Sequence, residues 1–224
     1  IRPLDAIVTY PVMRRDGSLL LESGYDSPTR TLAQISIAVD VPEQPTQADA
    51  RAALALLSDL VSDFPFAGDA HRSGWLSALL TPLARPAITG ATPMLLLEAS
   101  ARGSGKTLLA DLIGVIVTGN ATPRRVAPKT KEEWDKSLFA MLLAGDPIML
   151  LDNVTNMLVS DALDAILTTE DRYSQRVLGV SEERSVAVRT MIMASSNNAR
   201  LSTDLVRRTL LCRLEPGVER PEQR

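Results

Sequence analysis

Apolar and polar positions follow two different rhythms along this chain. From residue 6 to 40 the apolar residues come in short clusters, "AIVTYPVM" and "SLLLESGY", on either side of "RRDG". Asp-Gly between two apolar runs is a tight-turn signal, so this stretch reads as strands with a β-hairpin. "VPEQPTQ", 41–47, is a proline-punctuated linker. Over 49–64, "DARAALALLSDLVSDF" spaces its apolar residues three and four apart, which predicts an amphipathic helix. A second helix is expected over 70–83, followed by the breaker-rich "RPAITGATP".

Beyond that point solid runs replace loose clusters. "PMLLLEA", "DPIMLLDNV", "RTMIMASSN" and "TLLCRLE" are short and continuously apolar, as suits strands buried on both faces. Helical patterns separate them. "GKTLLADLIGVIVTG" closes near Gly119, and "TKEEWDKSLFAMLLAG" opens with Thr130 and Glu133 in capping-box spacing and closes at Gly145. "SDALDAILTTE" has Ser160 as its N-cap, and "STDLVRR" is a short helix. Strands alternating with helices predict an α/β fold, a parallel sheet with helices on both faces. The expected organisation is a β-rich extension and linker over 1–48, a helical segment over 49–89 and the α/β core over 90–224.

Composition changes this picture little. The 224 residues suffice for one sizeable core, and a net charge of −3 with a pI near 5.3 shows no global basic signature of nucleic-acid binding. The lone Cys212 excludes an internal disulfide and a cysteine-cluster zinc site, suits a reducing, cytoplasmic setting, and reads as a small buried residue of the last strand. No apolar run reaches the ~18 residues of a membrane span, and no signal-peptide pattern opens the chain. It begins with Ile1, which reads as a piece of a longer protein.

The chemistry concentrates at "ASARGSGKT", 99–107, between a buried strand and a helix. Gly105, Lys106 and Thr107 fit the phosphate-loop pattern G-x-x-x-x-G-K-[ST], while Ser100 stands where its first glycine belongs. In that setting backbone N–H groups of residues 102–107 cradle phosphates at a helix N-terminus, whose dipole favours an anion. The nucleotide-contacting candidates are Ser100, Ala101, Arg102, Gly103, Ser104, Gly105, Lys106, Thr107 and Leu108, with ATP and Mg²⁺ as the expected cofactors. Lys106 is expected on the outer phosphates and the Thr107 hydroxyl on Mg²⁺. A left-handed Ser100 would cost only ~1–2 kcal/mol, so Gly103 and Gly105 are expected to matter more.

Asp152 ends a buried strand about 45 residues after Lys106, where such ATPases place their Mg²⁺-holding carboxylate. Asn153 follows, where many of them carry a water-polarising glutamate. An amide cannot accept that proton, which leaves Asp146, Glu170 and Asp171 as alternative bases. "MIMASSNN" puts an amide at a strand end, a sensor beside the γ-phosphate, with Asn197 preferred by spacing over Asn198. In "STDLVRRTLLCRLE" an arginine pair precedes the last strand and fits a finger acting across a subunit interface, Arg208 first and Arg207 second.

Phosphate loop, Asp-bearing strand, Asn-bearing strand and arginines, in that order over about 90–215, resemble the AAA+ branch of the P-loop (ASCE) ATPases. "LLAGDPIMLLDN", "DRYSQRVLG" and "SSNNARLSTDLVRR" are similar to the helicase part of phage and mobile-element primase-helicases, akin to superfamily 3 and minichromosome-maintenance helicases. The resemblance implies sheet order 5-1-4-3-2, a hexameric ring, and an ATP-driven motor on single-stranded or forked DNA in replication. Two other outcomes remain open beside it: a DNA-dependent loader or transposition ATPase without unwinding, and a nucleotide-binding switch with little turnover.

In those helicases a hairpin before the sensor strand grips DNA. "RYSQRVLGVSEERSVAVR" is expected to form one, its tip near 179–183, with Arg176 and Arg184 as phosphate contacts ahead of Arg172 and Arg189. Glu182 and Glu183 at the tip oppose that role, and Tyr173 is the one aromatic available for stacking. Arg124–Val126, the lysines of "KTKEE" and His71 read as solvated surface, and Trp75 and Trp134 as packing residues.

Overall fold

The computed structural model describes residues 2–101, 103–154, 157–176 and 183–217. The N-terminal segment supplies short strands: β1 (Ala6–Val8), β2 (Val12–Met13), β3 (Leu19–Leu20), β4 (Gly24–Asp26) and β5 (Thr31–Ala33). The Asp-Gly hairpin forms as its turn chemistry dictates, β2 pairing antiparallel with β3 across a turn closed by the Arg14 N–H on the Ser18 carbonyl. β5 lies between β1, parallel to it, and β4, antiparallel.

Helix α1 (Gln47–Asp59) starts at a capping box that the sequence reading did not single out, in which Thr46 Oγ accepts from the Asp49 amide and the Asp49 carboxylate accepts from Thr46. None of its residues is fully buried, and Leu54 and Leu56 stand exposed, but Leu57 packs half-buried against the core, and Val61, just beyond the helix, is buried in it. Helix α2 (Asp69–Ala84) instead enters the core: the Trp75 side chain is fully buried and its indole N–H donates to the Leu109 carbonyl at 3.0 Å.

The rest is β6 (Met94–Ala99), α3 (Lys106–Thr118), β7 (Arg124–Val126), α4 (Lys131–Ala144), β8 (Ile148–Val154), β9 (Met157–Leu158), α5 (Asp161–Ile166), β10 (Arg172–Arg176), β11 (Glu183–Ala187), β12 (Met191–Ser196), β13 (Arg200–Leu201), α6 (Thr203–Val206) and β14 (Thr209–Leu214). Five of these strands form a parallel sheet in the order β14-β6-β12-β8-β7. Numbered along the chain, that is 5-1-4-3-2. The capping residues Thr130, with Glu133, and Ser160 open α4 and α5 as expected.

Alternation along the strands divides the core into two layers. Leu95 and Leu97 of β6, Ile148 and Leu150 of β8, and Cys212 of β14 face α2, α3 and the N-terminal strands. Met94, Leu96, Met149, Leu151 and Ile192 face α4 and α5. Burial pushes the Cys212 thiol up to about 12, as befits an inert core residue. Val8, Tyr10 and Ala33 share the first of these layers, so the N-terminal strands and the sheet have a continuous core.

Two surface readings gain a structural role. Arg124–Val126 is the edge strand β7, paired with β8. Three residues with alternating exposure are too short to show a strand rhythm, and charge is what an edge strand is expected to carry. His71 is half-buried, its Nδ1 donating to the Leu211 carbonyl oxygen at 2.9 Å.

Gly114 allows the loop after α3 to approach the helix. A Cβ there would lie 2.6 Å from the Asn120 carbonyl oxygen and 2.7 Å from the Thr122 amide nitrogen, both backbone. Gly114→Ala is therefore expected to cost about 1–3 kcal/mol, seen as a lower urea midpoint at unchanged m-value. A midpoint equal to that of the parent would show that the loop yields freely.

Candidate functional site

β6 leads into the loop at 100–105 and α3 begins at Lys106, the strand–loop–helix order that the phosphate loop requires. Gly103 (φ 69°) and Gly105 (φ 89°) take left-handed conformations, which glycine adopts at no steric cost, and Ser100 does not. The missing glycine therefore imposes no left-handed strain here. Arg102 lies outside the described residues, and Ala101, Gly103, Ser104, Thr107 and Leu108 surround Lys106 along the loop and first helical turn.

Lys106 is buried, and its Nζ donates to three neutral oxygens: Asn197 Oδ1 at 2.8 Å, Ser104 Oγ at 3.0 Å and the Ala101 carbonyl at 3.3 Å. Desolvation holds its pKa below the ordinary lysine value, with the Asp152 charge opposing that shift. The ammonium is thus preorganised and incompletely compensated. The Asn197–Lys106 contact spans 91 positions of sequence and brings together two residues singled out separately. Asn198 instead takes the left-handed turn position (φ 60°).

Asp152 sits near the end of β8, and its Oδ1 accepts from the Ser195 hydroxyl at 2.6 Å. The same hydroxyl accepts from the Asn153 amide at 2.9 Å. Ser195, from β12, is the site residue that sequence reasoning missed; its only trace was a run of small residues before the asparagines. Here β8 places both Asp152 and Asn153 opposite Ser195, between the pairs Leu151–Ala194 and Val154–Ser196. That is a β-bulge, and Asn153 (φ 56°) takes the left-handed position an asparagine tolerates. Its side chain is exposed, next to Asp152, whose carboxylate is held by the Ser195 hydroxyl.

Asp146 precedes β8 by two residues and its carbonyl accepts from Thr190, at the opposite end of the sheet. At ~3.3 Å per strand residue it lies roughly 20 Å from Asp152 along β8. Asp171 is at that same far end, where its carboxylate meets Arg189 at 3.1 Å, and Glu170 adjoins it in the chain. None of the three is placed to act as a base at Lys106.

Phe64 is a second residue the sequence did not reveal. A Cβ on Gly105 would lie 2.9 Å from Phe64 Cε1, so that ring covers the loop at Gly105. Its segment is tied to the sheet by the Ala67 amide on the Arg213 carbonyl at 2.9 Å and the Glu215 amide on the Pro65 carbonyl at 2.7 Å.

The arginine pair divides. Arg208 ion-pairs with Asp164 of α5 and is half-buried, whereas Arg207, the C-cap of α6, is exposed. The expected hairpin forms from β10 and β11, antiparallel, with Arg176 opposite Glu183 and Arg184 opposite Gln175. Its expected tip, Glu182 included, lies mostly outside the described residues. Arg176 and Arg184 are exposed toward that tip, and Arg172 and Arg189 stand at the base, engaged with the buried Asp5 carboxylate at 2.7 and 3.6 Å. Tyr173 packs on Phe139 with ring centroids 6.4 Å apart, which makes it part of the helix-facing core rather than an open stacking platform.

Fold and site together define an α/β protein whose five-stranded parallel sheet carries a buried lysine at a strand–loop–helix turn, with a carboxylate and an amide from two neighbouring strands around it. No protein-family model matches the chain, and a search of curated proteins returns no match. Among the described residues, no helix is long and apolar enough to cross a membrane.

Proposed function

We propose that this chain is the ATPase core of a P-loop AAA+ motor that acts on DNA as an oligomeric ring, of the helicase kind found in phages and mobile elements. The observation that carries the reading is the Lys106 ammonium, buried, depressed in pKa and held only by neutral oxygens. Such a group gains most from an anion, and two left-handed glycines beside it open the backbone to one. The residues fit ATP and Mg²⁺: loop amides and Lys106 for the phosphates, Thr107 and Asp152 for the ion. Bound there, Mg²⁺ neutralises charge on the phosphate oxygens.

The chain's own groups have distinct tasks. Lys106 trades its neutral acceptors for phosphate oxygens, which releases the Asn197 amide toward the attacking water. Ser195 fixes the rotamer of Asp152. Ser195→Ala is accordingly expected to lower Mg²⁺-dependent turnover about 10- to 100-fold, as for other supports behind a metal ligand, with the fold retained. Unchanged turnover would show that the bulge alone positions Asp152.

DNA-stimulated turnover tests the motor directly. ATP hydrolysis is expected to rise on adding single-stranded DNA, and Arg176→Ala with Arg184→Ala to weaken DNA binding and flatten its salt dependence by about one unit of slope per lost contact. A nucleotide-binding switch is the second reading, favoured by Asn153, which gives the site an amide where a base is needed. Tight ATP binding without turnover, with or without DNA, would select it.

A further inference from the structure

Away from the lysine loop, the N-terminal strands meet the base of the hairpin through an unusual concentration of arginine. Asp5 is ion-paired with Arg30 at 2.7 Å, Arg172 at 2.7 Å and Arg189 at 3.6 Å, and Asp171 reaches Arg30 and Arg189 at 3.8 and 3.1 Å. Arg85, the C-cap of α2, is close enough to Arg189 and Asp171 to feel both charges. Four guanidinium groups thus share two carboxylates.

Arg85 is the one left short. It is 2% exposed, its Nη1 donates to the Ile88 carbonyl at 3.3 Å, and its buried Nε and Nη2 find no acceptor. Burial and Arg189 pull its pKa down to about 10, so it still carries its charge at neutral pH. Arg85 and Arg189 together line a small, partly open cavity of about 20 Å³ between β1, the end of α2 and Pro147. No carboxylate lines it; its other polar side chains are Tyr10, whose phenol burial keeps protonated, and Thr31.

We propose that this cavity binds one small monovalent inorganic anion, chloride in an ordinary salt medium, between Arg85 and Arg189. Size limits the occupant, since a water-sized species needs roughly 10–15 Å³ on the same measure, which excludes phosphate, sulfate and any organic acid. Charge selects among what fits. A water would satisfy two N–H groups but leave the buried excess of positive charge in place, whereas an anion answers both. Bound there, it joins the N-terminal strands, α2 and the base of the hairpin.

Salt exchange on the full chain tests this. At constant ionic strength, replacing gluconate, too large for the cavity, by chloride is expected to raise Tm saturably, by about 3–6 °C at ten times the dissociation constant. Arg85→Met should abolish the chloride-dependent part. Bromide soaked into crystals of the parent protein should give an anomalous peak beside Arg85. Equal Tm in both salts, or a site without a bromide peak, would overturn the proposal in favour of a single water. Both readouts on the parent protein stand even if Arg85→Met fails to fold, and neither depends on the nucleotide reading.

Discussion

Lys106→Ala is expected to lower ATP affinity by about 30- to 3,000-fold and to abolish turnover. Truncating one partner of a buried, hydrogen-bonded charge pair costs about 2–5 kcal/mol, and each 1.4 kcal/mol is tenfold in affinity. The fold is expected to survive, because Lys106 is a strained tenant of its own site: the folded protein holds its proton less tightly than the unfolded chain does. Its charge therefore detracts from stability at neutral pH, and that loss lessens as the pH rises through the depressed value toward the ordinary one. Bound phosphate reverses the sign, since it favours the charged lysine, so ATP binding at alkaline pH should take up protons in the parent and not in Lys106→Ala. Calorimetry in two buffers of different ionisation enthalpy measures this. Equal affinity in an intact variant would remove the nucleotide reading.

What could be read in advance follows from the range of the interactions. The capping box at Thr130, the N-cap Ser160 and the Asp-Gly hairpin are local, and each appears where its residues specify it. The buried strands declared themselves because strands covered on both faces are apolar throughout. β7 did not, being three residues long at an edge. The site was legible as far as single positions allowed. Lys106, Asp152 and Asn197 each carry a motif, but Ser195 matters only because a bulge sets it against Asp152 and Asn153, and register is not written in one strand. Asp5 is the extreme case: an unremarkable acid near the start of the chain whose partner Arg172 lies 167 positions away.

The structure gives the two arginines of the pair different surroundings. Arg208, directly before the last strand, is the first candidate for the finger, and in this chain it holds Asp164 and links the start of β14 to α5. A finger must reach out of its own protomer, and of the two Arg207 is the exposed one. If the protein turns over as a ring, Arg207→Ala is expected to reduce turnover by about 10³-fold or more, the usual worth of such a group, without lowering Tm. Arg208→Ala is expected to do the opposite, losing about 1 kcal/mol of stability by stranding a half-exposed Asp164, with turnover reduced far less. Mixing Arg207→Ala with Lys106→Ala subunits places an intact lysine loop beside an intact finger at some interfaces, so partial activity should return. If Arg208→Ala is the variant that loses turnover at unchanged Tm, the Asp164 pair must open on assembly and the finger passes back to Arg208.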